Sequence, residues 1–491
     1  MGVSEKPGLL DNRLWAGKAF DGAWATALKE VRDVVEPATR QVLGRVGIAD
    51  AQDMQAAIGL AHRAQPAWAA LGPRERAAIF HRAAAVFQQH FDELALAIAR
   101  ETGGILAKGQ HEVREAITLC QLAASLPMQA QGQVLPSTPG RLSIARRVPH
   151  GVVGVISPFN FPLILGLRSV APALALGNAV VLKPDTRTPV SGGFIMARVF
   201  EEAGLPAGLL QVLPGDAAAG EALVVDERVP MIAFTGSPAV GRRIGALAGQ
   251  HLKKVSLELG GANNLIILED ADPDAAASAA AFGAWFHQGQ ICMAANRILV
   301  HESIADAILQ RLVGKARHLP VGDGASGQVA LGPMIDAKQL ERFDRVIHDS
   351  IQQGARLEAG GTYHGLCYQP TVLSGVRPGI RSFDEEPFGP VANLVTFRTD
   401  DEAVALANTS QGGLSAAVIS PSVGRAMAIG QRLRAGMVHI NDQTVNDDCT
   451  NPFGGPGLGG NGGSVGGPAD MDEYTQWQWI TIKDAPPPFP F

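Results

Sequence analysis

The chain has 491 residues, which exceeds the size at which one hydrophobic core stops growing, so we expect two or more domains. Hydrophobic residues make up 46% and charged residues 18% of the sequence, as in a globular protein on the apolar side of the average. The net charge of -6 argues against nucleic acid as a partner.

The cysteines and the start of the chain bear on the cellular compartment. Cys120, Cys292, Cys367 and Cys449 lie far apart and form neither a CxxC nor a Cys/His pattern, so no disulfide framework and no metal site is predicted. The N-terminus has no signal-peptide pattern. The longest apolar run, 170–182, is interrupted by proline and glycine and is too short to cross a bilayer. We therefore expect a cytoplasmic protein without a membrane partner.

The first part of the chain is predicted to be mostly helical after a start with short strands around residues 41–46. Helices are expected over 51–68, 73–90 and 91–102, and the helical pattern continues to about residue 128. Residues 135–147 then alternate around two prolines and a glycine and end in a basic pair. This pattern is typical of a two-stranded arm, which we expect to reach onto another subunit.

From residue 151 onward, short apolar strands alternate with helices. Strands are expected over 151–156, 179–183, 209–213, 231–235 and 265–268. Helices are expected between them over 162–176, 189–203, 217–225 and 238–250. This alternation predicts a parallel sheet covered on both faces, which binds ligands beyond the carboxyl ends of its strands. A nucleotide site is therefore indicated, although no GxGxxG follows any of these strands. A second α/β unit is expected from residue 283 to about 441.

The segment 286–293 places Cys292 just after a Gly-Gln pair, in a loop between a predicted helix and a predicted strand. A thiol attacks as the thiolate, so a working cysteine needs backbone N–H groups or a helix start that stabilise the anion. Glycine nearby lets the backbone approach a substrate closely. Alone, a buried cysteine is more often an inert core residue.

Four further segments carry polar groups that suit the same chemistry. The strand-ending Thr235-Gly236-Ser237-Pro238 opens a helix whose N-terminus suits a pyrophosphate. Lys183-Pro184-Asp185-Thr186 adds a cation and hydroxyl groups for a ribose. Glu258 stands beside a diglycine and would act as a general base if an apolar environment raised its pKa. Asn160, set between aromatics and prolines, can donate to an oxyanion or satisfy its own turn.

Taken in chain order, the motif PxNFP, the strand-ending lysine and the motifs FTGS, LELGG, GQxC, ExFGP and PFGG resemble the aldehyde dehydrogenase superfamily. The resemblance extends from about residue 30 to the end. It implies an α/β fold with two parallel-sheet domains and a β-arm for oligomerisation. By this resemblance, 1–130 and 150–257 form the nucleotide-binding domain and 258–458 the catalytic domain. Residues 131–149 and 472–491 form the oligomerisation arm and tail of a homodimer or homotetramer.

The resemblance also implies the roles of individual residues. Cys292 is the nucleophile, Glu258 the general base, and Asn160 with the Cys292 backbone N–H the oxyanion hole. The cofactor-binding positions are Ile156, Ser157, Lys183, Asp185, Thr186, Gly215, Phe234, Gly236, Ser237, Leu259, Glu386 and Phe388. No metal is implied.

Local features of the sequence narrow the choice of substrate and cofactor. The stretch 438–443 and the glycine-rich tail resemble the benzaldehyde dehydrogenase branch, and several phenylalanines suit a planar ring. We therefore expect benzaldehyde or a substituted benzaldehyde in a pocket formed by Phe159, Phe161, Arg168, Phe286, Ile291, Met293 and Phe453. NAD-preferring relatives usually carry glutamate where this chain has Thr186. Because the carboxylate that repels a 2′-phosphate is absent there, we expect NAD to be used and NADP to be accepted.

Four other functions remain open on the sequence. An acylating enzyme would pass the acyl group of the thioester to coenzyme A, but such relatives often lack the LELGG glutamate. An enzyme for aliphatic aldehydes would keep the same mechanism. A catalytically inactive relative would be expected to lose Cys292 or Glu258. A cysteine hydrolase of another fold would need a histidine base, for which His287 is the nearest candidate.

Overall fold

The structure is a computed structural model that describes residues 8–24, 28–409 and 412–491. Residues 1–7, at the start of the segment 1–130 that is predicted to help bind the nucleotide, lie outside the described residues. Among the helices that are described, none has the length and apolar character needed to cross a lipid bilayer.

The N-terminal part packs helices against one face of the first large sheet. Its elements are α1 (Asn12–Trp15), β1 (Glu30–Val35), β2 (Val42–Ile48), α2 (Ala51–Ala70), α3 (Pro73–Gln89), α4 (Phe91–Thr102) and α5 (Leu106–Ser125). The three predicted helices are confirmed. α2 begins at a capping box, in which the Asp50 carboxylate accepts from the backbone N–H of Asp53 at 3.0 Å and the Asp53 carboxylate accepts from Asp50 N–H at 3.0 Å.

The chain then forms the predicted arm and the first parallel sheet. The elements are β3 (Gly132–Val134), β4 (Leu142–Pro149), β5 (Val152–Ile156), α6 (Pro162–Ala175), β6 (Ala179–Lys183), α7 (Ile195–Glu202), β7 (Leu210–Val212), α8 (Ala217–Val225), β8 (Met231–Gly236), α9 (Pro238–Gln250) and β9 (Lys254–Leu259). A single π-helical turn, Val190–Phe194, precedes α7. The five-stranded sheet has the order β7-β6-β5-β8-β9, and all its pairs are parallel. The order reverses between β5 and β8, which opens a crevice at the carboxyl ends of these strands.

A second α/β unit follows and the chain ends in the arm. The elements are β10 (Asn264–Ile267), α10 (Pro273–Trp285), β11 (Arg297–His301), α11 (Ala305–His318), α12 (Ala337–Gln352), β12 (Arg356–Ala359), β13 (Tyr363–His364), β14 (Cys367–Tyr368), β15 (Thr371–Ser374), α13 (Arg381–Asp384), β16 (Val391–Phe397), α14 (Asp400–Ala407), β17 (Gly413–Ile419), α15 (Val423–Gly430), β18 (Ala435–Ile440), α16 (Ala469–Glu473) and β19 (Thr475–Ile482). Short 3₁₀ turns cover Leu126–Met128, Phe286–Gly289, Glu302–Ile304 and Gly324–Ser326.

The seven-stranded sheet of the second unit has the order β12-β15-β16-β11-β10-β17-β18 and is parallel except for the β12–β15 pair. The arm is a three-stranded antiparallel sheet, because β19 pairs with β4 on the side opposite β3. Before reaching the arm, the chain returns to the first unit, whose core includes Cys449, Phe453 and Tyr474. Ile291 and Met293, on either side of Cys292, belong to the same core, so the cysteine loop lies where the two units meet.

Candidate active site

The loop that carries Cys292 has a strained backbone. Between α10 and β11, the three consecutive residues His287, Gln288 and Gly289 adopt left-handed conformations, with φ of 47°, 56° and 64°. Such a conformation costs on the order of 1 kcal/mol or more for a residue with a Cβ, so it persists only where the surroundings impose it. At Gly289, a Cβ would come within 2.2 Å of the Gly389 carbonyl oxygen, so no larger residue fits.

Buried amides hold this loop from both sides. Gln288 Nε2 donates to the carbonyls of Gly103 at 3.0 Å and Pro333 at 2.7 Å. On the other side of the nucleophile, Asn263 Nδ2 donates to the carbonyl of Cys292 at 2.7 Å and to that of Ala294 at 3.1 Å. The sequence analysis did not identify Asn263, although it directly follows the LELGGA segment. These contacts over-determine the loop and fix the cysteine in place.

Asn160, between β5 and α6, lies against the same loop. Its Nδ2 donates to the carbonyl of Gln290 at 2.9 Å, and the side chain is buried. An amide nitrogen carries two hydrogens, so one remains to serve an oxygen at the reacting carbon. The structure therefore brings the predicted oxyanion donor to the cysteine loop.

A buried ion pair supports the loop of Asn160. Lys108 and Glu112 in α5 lie 2.5 Å apart and are both fully buried. Glu112 accepts hydrogen bonds from the backbone N–H groups of Leu163 at 3.0 Å and Ile164 at 3.2 Å, the first turn of α6. The Lys108 ammonium lies 4.7 Å from the ring centroid of Phe161. Neither residue was predicted, because nothing in the pattern of α5 distinguishes them from solvent-facing charges.

Glu258 is a buried carboxyl without a partner. It lies in β9, is 4% exposed, and neither oxygen has a hydrogen-bond partner among the described residues. Burial raises the pKa of Glu258 well above its usual range; Arg168 opposes this rise and Glu473 adds to it. A Cβ at Gly454 would lie 3.1 Å from Glu258 Oε1, so the glycine of the PFGG segment leaves room for the carboxyl. This environment is the one that the sequence analysis required of a general base.

The Cys292 thiol is not ionised by its surroundings. Burial raises the pKa of Cys292, and the negative charges of Glu386, Asp447 and Glu258 raise it further, whereas a backbone hydrogen bond lowers it by less. The sequence analysis required backbone N–H groups or a helix start that stabilise the thiolate, and one backbone hydrogen bond acts in that direction without offsetting the burial of Cys292. The resting cysteine is a thiol, and its attack on a carbonyl requires a group that takes the proton.

His287 does not offer a charged imidazole. Burial lowers the pKa of His287 well below its usual range, and the Lys108 charge lowers it further. The ring packs edge-on against Phe161, with centroids 5.3 Å apart. A lowered pKa makes His287 a weak base, so the imidazole does not support the hydrolase alternative.

Cys292 opens into a cavity of about 280 Å³. The structure places there five residues that were predicted for the substrate pocket: Phe161, Phe286, Ile291, Met293 and Phe453. Residues that were not predicted complete the wall: His111, Ile164, Leu165, Phe282, Gln443, Val445, Asn446 and Asp447. They come from α5, α6, α10 and the segment after β18, and no local signal in the sequence links these distant segments.

Two predicted pocket residues do not line this cavity. The ring of Phe159 contacts Phe388, with centroids 6.0 Å apart, and the Arg187 guanidinium lies 4.0 Å from its centroid, so Phe159 is sandwiched away from the substrate. Arg168 lies behind the wall, where its Nη2 donates to Asp447 Oδ1 at 2.8 Å. The interaction observed for Arg168 is thus an ion pair with an acid and not a direct contribution to the cavity wall.

The residues predicted to bind the cofactor collect at the carboxyl edge of the five-stranded sheet. Ile156, Lys183, Gly236 and Leu259 end β5, β6, β8 and β9, respectively. Phe234 lies in β8, with its ring against Gly236, and Ser157 and Gly215 follow β5 and β7. Glu386 reaches Gly260 from the second unit, since a Cβ on Gly260 would come within 2.4 Å of its carboxylate.

Several polar groups at this edge are free to take a ligand. Ser237 is the N-cap of α9, yet its side chain makes no capping hydrogen bond. The Lys183 ammonium has no hydrogen-bond partner among the described residues, and burial lowers its pKa. Glu386 Oε1 is buried without a partner, and burial raises the pKa of Glu386 to about 7. Free donors at a helix N-terminus beside a cation fit a dinucleotide.

Asp185 differs from this pattern. Arg187 holds both of its oxygens, with Nε at 2.9 Å and Nη2 at 2.7 Å. Burial alone would raise the pKa of Asp185, but the hydrogen bonds and charge of Arg187 lower it. The carboxylate is engaged as an ion pair, so its predicted role toward ribose hydroxyls is not supported.

Residues 24–480 match the aldehyde dehydrogenase family. This chain belongs to that family. It is 52% identical to a vanillin dehydrogenase of an Amycolatopsis species, over 98% of this chain and 99% of the relative. It is 47% identical to a benzaldehyde dehydrogenase [NAD(+)] of Pseudomonas putida, over 97% of this chain and 98% of the relative. The structure of a Staphylococcus aureus betaine aldehyde dehydrogenase in complex with NAD⁺ superposes with a TM-score of 0.94 at 29% identity, covering 99% of this chain and 98% of that one.

The predicted α/β fold, with its parallel sheets, is thereby confirmed, and an enzyme is confirmed over an unrelated binding protein. Membership also excludes a cysteine hydrolase of another fold. For this aldehyde dehydrogenase family member, a function is inferred from Cys292 at the cavity, from Asn160 hydrogen-bonded to the cysteine loop, and from Glu258, whose charge acts on the thiol.

The hydrogen bonds by which Asn263 holds the Cys292 loop can be tested by a pair of variants. Asn263→Ala removes the donor to the Cys292 carbonyl and an acceptor for Ser415 N–H, so we expect a loss of about 2–4 kcal/mol of stability and slower alkylation of Cys292 by iodoacetamide. Asn264→Ala is the matched control, because Asn264 is also buried but donates to Ala262 and Ala407 instead. Urea unfolding and alkylation rates should separate the two variants. Equal alkylation rates in the two variants would show that the hydrogen bonds of Asn263 do not position the nucleophile.

Proposed function

We propose that the protein oxidises an aromatic aldehyde, benzaldehyde or a substituted benzaldehyde, to the carboxylic acid. The observation that carries this proposal is the cavity beside Cys292, because Phe161, Phe282, Phe286 and Phe453 bring aromatic rings around a space that suits a planar ring. The names of the vanillin and benzaldehyde dehydrogenases to which the chain is similar support the same substrate class.

The cofactor of this reaction is a nicotinamide dinucleotide, which when bound takes the hydride from the substrate carbon. Lys183, Ser237 and the N-terminus of α9 would hold its polar parts, since their donors are free. Glu386 would accept from ribose hydroxyls. In this proposal the first parallel-sheet unit binds the nucleotide and the second is the catalytic unit.

Catalysis begins at Cys292. Its thiol gives up a proton, for which the carboxylate form of Glu258 is the buried base, and the sulfur adds to the aldehyde carbon. The carbonyl oxygen becomes an alkoxide that accepts from Asn160 Nδ2 and from the Cys292 backbone N–H. Because Asn160 is already bound to Gln290 and Cys292 to Asn263, these donors need little reorganisation as the charge develops.

After hydride departure, the acyl group remains as a thioester on Cys292. Glu258 first releases to solvent the proton that it took from the thiol, and as a carboxylate again it takes a proton from water while the water adds to the thioester carbon; the carboxylic acid then leaves as the cysteine sulfur is released. The raised pKa of Glu258 matters here, because a carboxylate taken out of water is a stronger base than one on the surface.

Glu258→Gln isolates this step. The amide keeps the shape of the side chain but cannot take a proton from water, so we expect one burst of reduced nucleotide followed by a fall in steady-state turnover of about a hundredfold or more. In the unaltered enzyme, the raised pKa keeps Glu258 protonated at acidic pH, so turnover should rise with pH toward and beyond neutrality. Stopped-flow absorbance and a pH–rate profile measure both effects. Glu473→Gln is the control that keeps Glu258 in place, and full steady-state turnover by Glu258→Gln would remove Glu258 as the base.

We further propose that NAD is used and NADP is accepted. Thr186 carries no charge to repel a 2′-phosphate, and the nearest carboxylate, Asp185, is neutralised by Arg187. An NAD-only enzyme would be expected to hold a free carboxylate at the position of Thr186.

Absorbance of reduced nicotinamide, with NAD and NADP in parallel, tests the substrate and the cofactor together. We expect strong reduction with benzaldehyde and vanillin, little with acetaldehyde or hexanal, and turnover with NADP within about tenfold of that with NAD. A preference for hexanal would overturn the aromatic assignment. Activity that requires coenzyme A would indicate acyl transfer instead of hydrolysis, and no reduction under any condition would indicate an inactive relative.

The arm supports a homo-oligomer, dimer or tetramer, as the active form. Trp477 and Trp479 expose apolar side chains on one face of its three strands, and Val134, Leu142 and Ile482 do so on the other face. Exposed apolar surface of this kind usually meets a partner. The cytoplasm suits this assembly, because all four cysteines are free.

A charge on the arm should weaken assembly. Trp479→Glu places a carboxylate where the tryptophan side chain is 65% exposed. We therefore expect the oligomer to dissociate at a higher protein concentration than the unaltered protein does. Gln478→Glu, one residue earlier on the same strand, is the control for charge alone. Analytical ultracentrifugation across a concentration series measures the change. An unaltered subunit equilibrium in Trp479→Glu would place the interface elsewhere.

A further inference from the structure

One wall of the cavity beside Cys292 is polar. His111, Gln443, Asn446 and Asp447 contribute to it, opposite in character to the phenylalanines that form the rest. Benzaldehyde has one polar group, the carbonyl, and Cys292 and Asn160 serve it. The polar wall therefore has no function toward an unsubstituted ring. Removing water from its polar side chains would cost free energy that no hydrogen bond to such a ring offsets.

Asp447 is the charged member of this wall, and it is held from behind. Arg168 is 2% exposed, and its Nη2 donates to Asp447 Oδ1 at 2.8 Å. Arg168 is the only donor to that carboxylate among the described residues, so Asp447 Oδ2 is free to accept a further hydrogen bond. Burial alone would lower the pKa of Arg168, but the charge and hydrogen bond of Asp447 outweigh it and keep the guanidinium charged.

The same guanidinium positions an aromatic part of the wall. It lies 4.7 Å from the ring centroid of Phe453, which lines the cavity next to Asp447. One buried cation thus fixes both a flat apolar surface and a hydrogen-bond acceptor. A planar ring that carries a hydroxyl group presents the two complementary features.

We propose that Asp447, held by Arg168, accepts the hydrogen bond of a phenolic hydroxyl on the substrate ring and so selects hydroxylated benzaldehydes. This inference rests on the proposed function and names the residue that discriminates within its substrate class. A carboxylate can only accept, so it favours a hydroxyl over a methoxy group, which has no hydrogen to donate. An ortho hydroxyl bonds internally to the aldehyde oxygen, so the selected positions are meta and para.

The expected discrimination is substantial, because a site built to bond a hydroxyl leaves a buried polar group unpaired when the hydroxyl is absent. In the unaltered enzyme, kcat/KM should be at least about tenfold higher for 4-hydroxybenzaldehyde than for 4-methoxybenzaldehyde. This measurement needs no variant, so it stands even if a change at the ion pair impairs folding. Equal values for the two aldehydes, and for the 3-substituted pair, would overturn the proposal.

Asp447→Asn then tests the residue. The amide is a weaker acceptor of the same shape, so the hydroxy-to-methoxy ratio of kcat/KM should fall about tenfold. Asp448→Asn is the matched control: Asp448 is exposed, hydrogen-bonds Thr450 and does not line the cavity, so this variant should keep the ratio of the unaltered enzyme.

The ratio separates a specificity role from a structural one. If Asp447 only braces Arg168, Asp447→Asn slows every aldehyde alike and the ratio stays constant, which would overturn the proposal. If no aromatic aldehyde is oxidised by the unaltered enzyme, the proposed function fails first. Oxidation of benzaldehyde without any preference for hydroxylated rings would refute the inference alone.

Discussion

The site depends on one strained turn of backbone held from several directions. His287 and Gln288 occupy left-handed conformations that an isolated chain would leave, and the bonds that hold them come from distant segments. Gln288 binds the carbonyls of Gly103, at the end of α4, and of Pro333, before α12. The strain is therefore sustained by the packing of the two α/β units against each other. A nucleophile placed this way is oriented only when the whole fold is in place.

Burial at this junction has opposite consequences for the two reacting groups. It raises the pKa of Glu258, which makes the carboxylate a stronger base, and it raises the pKa of Cys292, which keeps the nucleophile protonated. The two effects are coupled, because the negative charge of Glu258 is among the causes that act on Cys292. A proton that moves from the thiol to Glu258 removes that charge as it creates the thiolate. A base near the sulfur thus compensates for the desolvation of the thiol.

The sequence predicted the elements that repeat a simple pattern and missed those that depend on distant contacts. Strands β5, β6 and β8 are continuous apolar runs and were predicted to within a residue or two. Strand β9, at the edge of the sheet, was not predicted although Lys254 to Leu259 alternates polar and apolar residues, because the interpretation of this stretch rested on Glu258 and the diglycine that follows it. Motifs located Cys292, Glu258 and Asn160, since their neighbours in the chain carry the signal.

Side chains that act through contacts distant in sequence carry no such signal. Phe159 was assigned to the substrate pocket as one of several phenylalanines that suit a planar ring, but Arg187 and Phe388 enclose its ring. Asp447 reaches the cavity from a segment 155 residues after Cys292, and it could be recognised only once α6 placed Arg168 beside it. Local sequence therefore specifies the reacting groups, whereas the walls that choose the substrate arise from packing.

Arg168 connects these two levels. Its charge lowers the pKa of Glu258 against the effect of burial, and its hydrogen bond fixes Asp447 at the cavity wall. Burying a guanidinium costs several kcal/mol unless acids surround it, and here Asp447 and Asp470 supply the negative charge. An apolar residue at this position would leave Glu258 without its one favourable charge and Asp447 without its donor. The base and the polar wall of the cavity thus depend on the same buried cation, although one takes part in the chemical step and the other in the choice of substrate.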